Sequence, residues 1–314
     1  MNRGVRTGSR VAVLGGTGWV GRHVCAALAL DGHRVLCVAR NRAAHVAGHP
    51  FLPWDLAAMD SGALAAELHG RGVAAVVNAT DGANTTDGWD LSEDELRRTN
   101  ADAVRRLAAA LAAVPRPPRL VHLGTIHEYG PVPAGTAVGE TADPRPASAY
   151  ARTKLQGSAA VLDAARTRGL DAVVLRLTNV CGPHPSPQSF PGKLLALARS
   201  AAAGEPAEVT VAAARRDFVD VHDVAAAVRQ AVRAPVSGTA VNIGSGTAVE
   251  IGAFVAGFLT AAGLPPGAVA ARAGEVPSLG GPWVQADIRL AERVLGWRPR
   301  TSLGESLRSM WEAR

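Results

Sequence analysis

The sequence predicts an α/β protein: a doubly wound parallel sheet of the Rossmann kind with a smaller C-terminal lobe. Three observations carry this. Short, near-continuous apolar runs alternate with helical stretches, a glycine-rich turn follows the first run, and the pattern loosens in the second half. RVAVL (10–14), RVLCV (34–38), VAAVVNA (73–79), RLVHL (119–123) and DAVVLRL (171–177) read as strands buried on both faces. Helical patterns near 19–30, 60–69, 93–114 and 149–168 supply the crossovers that parallel neighbours require. Beyond them Pro183, Pro185, Pro187 and Pro191 crowd one stretch, predicted to be irregular. Helices are expected to resume near 190–203, 221–234, 250–262, 288–295 and 303–312, with strand-like runs AEVTVA (207–212) and TAVNIG (239–244) among them.

Composition narrows the function classes. The 314 residues are 47% hydrophobic and 19% charged, a soluble globular profile with no apolar run of the roughly 20 residues that span a bilayer. The basic-then-apolar start is unlike a signal peptide because glycines break its apolar part, so residues 1–9 read as a loose tail. Cys25, Cys37 and Cys181 are odd in number and form no C-x-x-C pair, so no disulfide framework is expected and the cytoplasm is the expected compartment. A net charge of +6 comes from dispersed arginines with only 4% aromatics, which argues against nucleic acid and suits small anionic ligands. His45 and His49 lie four apart without a Cys or carboxylate cluster, so no metal site is expected.

The segment VAVLGGTGWVGRHV sets Gly15, Gly16, Gly18 and Gly21 between the first strand and its helix. Glycines there let the backbone turn tightly and approach a pyrophosphate seated on the helix N-terminus. A turn that merely packs helix on sheet is the competing reading. Thr17, Trp19 and Val20 share the loop, and Asn78 with Ala79 close a neighbouring strand, so all are expected beside a dinucleotide. An NAD site wants an Asp or Glu roughly 20 residues on. The second strand ends instead in Ala39, Arg40, Asn41 and Arg42, whose guanidiniums suit a 2′-phosphate, and NADP(H) is the expected cofactor.

Taken with SAYARTK (148–154), these glycines make the chain resemble the extended short-chain dehydrogenase/reductase family, in its NDP-sugar epimerase, dehydratase and ketoreductase branch. The resemblance runs along nearly the whole length. It implies that Thr125 in HLGTIHEYG is the catalytic hydroxyl, with Tyr150 and Lys154 completing the catalytic trio and contacting the cofactor. Asp55 in WDL, followed by Leu56, would meet the adenine, and Asn100 in RTNADAV, expected among the cofactor-binding residues, would support the sheet beside the site. Asn179 in RLTNVCGP and Arg216 in RRDFVDVHDVA would contact substrate, with Arg272 as a second diphosphate contact. His127, Lys193 and Gln188 lie where substrate is expected. NIGSG, AGEVP and LGWRPRTSL complete the C-terminal signature. Residues 1–178 and 214–247 would form the dinucleotide-binding domain, and 179–213 and 248–314 the substrate-binding lobe. Family members often dimerise through the helices near 93–114 and 149–168, so a homodimer is expected.

Residues four apart share a helix face, so Tyr150 and Lys154 can converge on one point. The ammonium is expected to lower the phenol's pKa from about 10. Two departures narrow the reaction. Sugar 4,6-dehydratases follow the catalytic Thr with Asp and Glu, but here Ile126 and His127 stand there, and the acidic Glu128 is one place further on. Cys181 replaces the family's usual Tyr and is expected to reshape the sugar pocket or simply pack. The expectation is an NADPH-dependent ketoreductase acting on an NDP-4-keto-6-deoxyhexose, dTDP-linked by preference. An NDP-hexose 4-epimerase with tightly bound NAD and a non-catalytic NADP-binding sensor are the alternatives.

Overall fold

The structure, a computed structural model, describes residues 5–81, 91–274 and 281–313. Its main sheet holds β1 (Arg10–Leu14), β2 (Arg34–Ala39), β3 (Phe51–Pro53), β4 (Val73–Asn78), β5 (Arg119–Thr125), β6 (Ala172–Leu177) and β10 (Thr239–Ile243). The order is β3-β2-β1-β4-β5-β6-β10, with every pairing parallel. Alternate residues of each strand face opposite sides. Val11 and Val13 enter one core with α1 (Trp19–Leu30) and α7 (Val221–Arg233), while Ala12 and Leu14 enter the other. That second core is closed by α2 (Ser61–Gly70), α4 (Ala103–Ala113) and α5 (Ala149–Arg168). Strand order reverses between β1 and β4, which opens a crevice at the carboxyl ends of those strands.

The helix expected over 93–114 is not uniform. α3 (Glu93–Arg97) runs into a π-helical turn, Arg98–Asp102, before α4 begins. That turn brings the Asn100 carbonyl so close to α5 that a Cβ on Gly157 would sit 2.1 Å from its oxygen. Asn100 Nδ2 then donates to Thr153 Oγ1 at 3.3 Å, locking the two helices behind the crevice.

A smaller sheet joins β7 (Asn179–Cys181), β9 (Arg215–Asp220) and β11 (Ala248–Glu250), and β8 (Glu208–Val211) pairs with β12 (Ala270–Ala273). They share a third core with α6 (Phe190–Ala202), α8 (Ile251–Ala261) and α10 (Leu303–Glu312), centred on Phe254, Phe258 and Met310. Pro191 is not in the irregular stretch predicted for it. It lies in the first turn of α6, where no helical amide partner is needed.

Buried Asp217 ties the two regions. It accepts from Ser245 N and Oγ, Gly246 N and Ala286 N at 2.7–3.1 Å, which explains the NIGSG motif as a carboxylate-bound turn. The LGWRPRTSL motif is likewise structural: Trp297 Nε1 donates to Asp223 O, and the amides of Arg300 and Thr301 donate to Asp223 Oδ2. Residues 275–277 of AGEVP lie outside the described residues. Among the described residues no helix is long and apolar enough to cross a membrane.

Candidate active site

A cleft of about 880 Å³ runs along the carboxyl ends of β1, β2, β4 and β5 and continues beneath the start of α6. Its upper wall is the loop between β1 and α1. Gly15 holds φ at +75°, a conformation that side chains resist, and a Cβ on Gly21 would stand 2.1 Å from the Gly15 carbonyl oxygen. The turn therefore needs glycine at both positions. The N-cap of α1 is Gly18, which offers no side-chain cap, and the first turn holds no acid, so its free amides are left for an anion. A dinucleotide diphosphate fits this cradle.

Arg40, Asn41, Asp55 and Leu56 line one end of the cleft, beside Gly15, Thr17, Gly18, Trp19, Val20, Gly21 and Ala79. Arg42 is not among the lining residues. Its guanidinium donates to the Ala47 and His49 carbonyls and lies 5.8 Å over the Phe51 ring. Of the two arginines expected for a 2′-phosphate, only Arg40 faces the cleft.

At the other end β5 finishes at Thr125, and α5 begins one residue before Tyr150. Ser148 Oγ accepts from Ala151 N at 3.2 Å and fixes that helix start. Thr125, Tyr150 and Lys154 all line the cleft. Lys154 is buried, and its Nζ donates to the Leu123 carbonyl at 2.8 Å, pinning α5 to β5 two residues from Thr125. The half-buried phenol of Tyr150 donates to Asp81 Oδ2 at 2.9 Å. Burial and the Asp81 carboxylate, with Glu128 adding to them, push its pKa well above the usual value. The expected lowering is thus reversed, by burial first and by the Asp81 carboxylate second, while Lys154 gives a hydrogen to the Leu123 carbonyl.

Glu128, one place beyond the dehydratase positions, points away from substrate space. It is fully buried: Oε1 accepts from Thr125 N at 3.0 Å and Ser158 Oγ at 2.8 Å, and Oε2 accepts from Arg176 Nε at 2.7 Å. Arg176 stacks 4.5 Å from the Tyr129 ring centre. Ile126 is buried in a small core with Tyr129 and Val138. His127 lines the cleft beside Asn179 and Arg216, and burial with the Arg216 charge brings its pKa down to about 4. It is a neutral imidazole at physiological pH, with Nδ1 unpartnered among the described residues.

Several expected contacts sit elsewhere. Asn78 is buried in the sheet, donating to His122 Nδ1 at 3.2 Å and accepting from Thr80. Asn100 lies behind the site on the π-helical turn. Lys193 is exposed on α6, and Arg272 is exposed on β12 in an ion pair with Glu208 at 2.7 Å. None of these four lines the cleft. Cys181 packs in the third core against Ser306 Oγ and Val219 O, and burial pushes its thiol up to about 12. The structure adds lining residues that spacing did not pick out: Arg22, Asp81, His184 and His45, whose Nε2 meets the Thr17 carbonyl at 3.1 Å. Asp81 sits just past the end of β4, the kind of strand exit that faces ligands in open α/β sheets, and that signal could have found it.

A parallel sheet with an uncapped glycine turn at one end of its crevice, and a Thr, Tyr and Lys at the other, defines a nicotinamide-dinucleotide enzyme of the extended short-chain dehydrogenase type. The chain belongs to the NAD dependent epimerase/dehydratase family, whose model matches residues 11–244. It is 37% identical over 314 residues to dTDP-6-deoxy-L-talose 4-dehydrogenase (NAD(P)(+)) from Kitasatospora kifunensis, covering 98% of this chain and 96% of the relative. A UDP-glucose 4-epimerase from Rhizobium leguminosarum bv. trifolii is 27% identical, with 97% of each chain covered. Among solved structures, MoeE5 in complex with UDP-glucuronic acid and NAD superposes with a TM-score of 0.82 at 28% identity, covering 97% of this chain and 98% of that one.

Proposed function

We propose that the protein reduces the 4-keto group of an NDP-4-keto-6-deoxyhexose, dTDP-linked by preference, with NADPH as reductant. One observation supports this reading above the others: Thr125, Tyr150 and Lys154 share the cleft, while the only carboxylate after Thr125 on that turn, Glu128, is locked behind it by Arg176 and Ser158. Hydride and proton transfer are provided for, and an acid–base pair for eliminating water is not. The relative from Kitasatospora kifunensis acts at the same sugar carbon.

The glycine turn and α1 amides would hold the diphosphate, Asp55 and Leu56 the adenine, and Arg40 a 2′-phosphate. When bound, the dinucleotide supplies hydride. Tyr150 gives its phenolic proton to the sugar oxygen, and Thr125 donates a hydrogen bond to that oxygen as charge develops there. Lys154, anchored on Leu123 O, places positive charge beneath both. Neutral His127, with Asn179 and Arg216, orients the sugar and its diphosphate. In this reading residues 1–178 and 214–247 bind the dinucleotide, residues 179–213 and 248–314 bind the sugar nucleotide, and a homodimer forms through α3–α4 and α5 in the cytoplasm.

Incubation with dTDP-4-keto-6-deoxyglucose and its epimers plus NADPH tests the reading. Stoichiometric NADPH oxidation and an alcohol at C4, its configuration read by NMR, are expected. A second reading, NDP-hexose 4-epimerisation, is favoured by the Rhizobium relative. It predicts purified protein with tightly retained nicotinamide and no net NADPH consumption. Loss of turnover on every sugar with NADPH still bound would revive the sensor.

Arg40 is the residue expected to set NADPH preference. Arg40→Ala raises the KM for NADPH about tenfold or more, one charge-assisted hydrogen bond's worth, and leaves NADH within about twofold. Arg42→Ala has a smaller effect, because that guanidinium is held by Ala47 and His49. Equal changes for both cofactors in Arg40→Ala would remove the assignment.

A further inference from the structure

The Tyr150 phenol hydrogen-bonds to a carboxylate from a different element. Asp81 follows β4, lines the cleft, and accepts the phenolic hydrogen at 2.9 Å. Among the described residues, the charged groups that face this phenol are Asp81 from the β4 exit, Glu128 from the turn after β5, and Lys154 one turn along α5. Lys154 spends a hydrogen on Leu123 O, and Glu128 is paired with Arg176. His122, beneath Lys154, is buried, and that burial together with the ammonium keeps it neutral. Of these groups Asp81 is the one in direct hydrogen-bond contact with the hydroxyl.

We propose that Asp81 is a positioning residue that holds the proton on Tyr150, so that the phenol stays in its acid form, ready for a ketone, to a higher pH than it would unaided. The inference rests on Tyr150 being the proton donor of the reaction read above. A hydrogen bond from the neutral phenol is lost on ionisation, and the resulting phenolate would face a second anion at contact distance; both effects favour the protonated phenol. Reduction consumes that proton. The Tyr150 O–H bond breaks, an O–H bond forms on the sugar oxygen while its carbon receives hydride from the reduced dinucleotide, and the phenolate recovers a proton from water. Oxidation of the alcohol retraces the same step from the phenolate, so its pH range moves together with that of reduction. Substrate entry must also take the phenolic hydrogen from Asp81, so the sugar oxygen completes a bond already aimed into the cleft.

The chain has only two tyrosines, which makes the test direct. Protein labelled with carbon-13 at tyrosine Cζ gives two NMR signals, and Tyr150→Phe assigns them. In the free protein, without cofactor or sugar, Asp81→Asn is expected to make Tyr150 at least about tenfold more acidic and leave Tyr129 unchanged. Asp81→Glu restores much of the parent behaviour. In the active enzyme the alkaline limb of kcat/KM for ketone reduction moves to lower pH by the same amount, and the limb on which alcohol oxidation rises moves with it. A purely structural Asp81 would change folding or KM without moving the Tyr150 titration. Unchanged Tyr150 ionisation in both Asp81→Asn and Asp81→Ala overturns the proposal outright. If Tyr150 titrates as expected but the parent never reduces a keto sugar, the reading of the reaction fails and takes the claim about the pH limb with it, and the NMR result keeps the two failures apart.

Discussion

Tyr150→Phe is expected to lower kcat for ketone reduction by roughly 10²–10⁴-fold, the range that a lost general acid commonly costs. The substitution removes one oxygen, so helix α5 with its Ser148 cap and Lys154 anchor should stay in place. Dinucleotide affinity, measured by quenching of protein fluorescence, should change no more than about threefold, because the diphosphate cradle and Arg40 lie at the far end of the cleft. The loss falls on kcat with little change in KM, since the interaction matters most where charge develops on the sugar oxygen. Nearly full turnover in this variant would mean that the proton comes from elsewhere, with neutral His127 the next group to test.

The main sheet was legible because parallel strands buried on both faces must be apolar throughout, and five such runs punctuate residues 10–177. β3, β7 and β11 were not: each has three residues, too few to show a period, and their pairing is set by tertiary contacts. β9 was read only as a motif, because its buried polar residues Arg216, Asp217 and Asp220 hide a strand that works as a hydrogen-bonding hub. The π-helical turn at 98–102 leaves no mark in an alanine-rich helical pattern.

The site divides in the same way. Residues bound to one backbone device are readable from a local pattern: the glycine turn by its spacing after a strand, and the Tyr-x-x-x-Lys helix start once the family resemblance is joined to it. The partner of Tyr150 lies 69 residues away in sequence, and the anchor of Lys154 is a main-chain carbonyl, so neither could be read from spacing. Arg42 and Arg272 have suitable chemistry for anions, but a nearby carbonyl pair claims one and Glu208 the other. A side chain's local competitors decide where it points, and in these cases they lie on other turns or strands.

Glu128→Ala is expected to be the most damaging change outside the reacting groups. It strands Arg176 in the core, with side-chain exposure of only 5%, and breaking one side of a buried pair costs about 3–5 kcal/mol. It also removes the acceptor of Thr125 N and Ser158 Oγ, so the strand end that carries the catalytic hydroxyl loosens along with the core. The measurement is a thermal melt beside a kinetic assay on the surviving folded fraction: the midpoint should drop sharply, and kcat should fall because Thr125 is no longer held against the cleft. A paired replacement, Glu128→Leu with Arg176→Met, separates the two effects. Without an uncompensated charge it should regain much of the stability. Turnover should stay depressed, because a leucine side chain at that position cannot accept from Thr125 N. Recovery of both together would mean that Glu128 serves the fold alone, and a single variant as stable as the parent would mean that Arg176 finds another anion in the core.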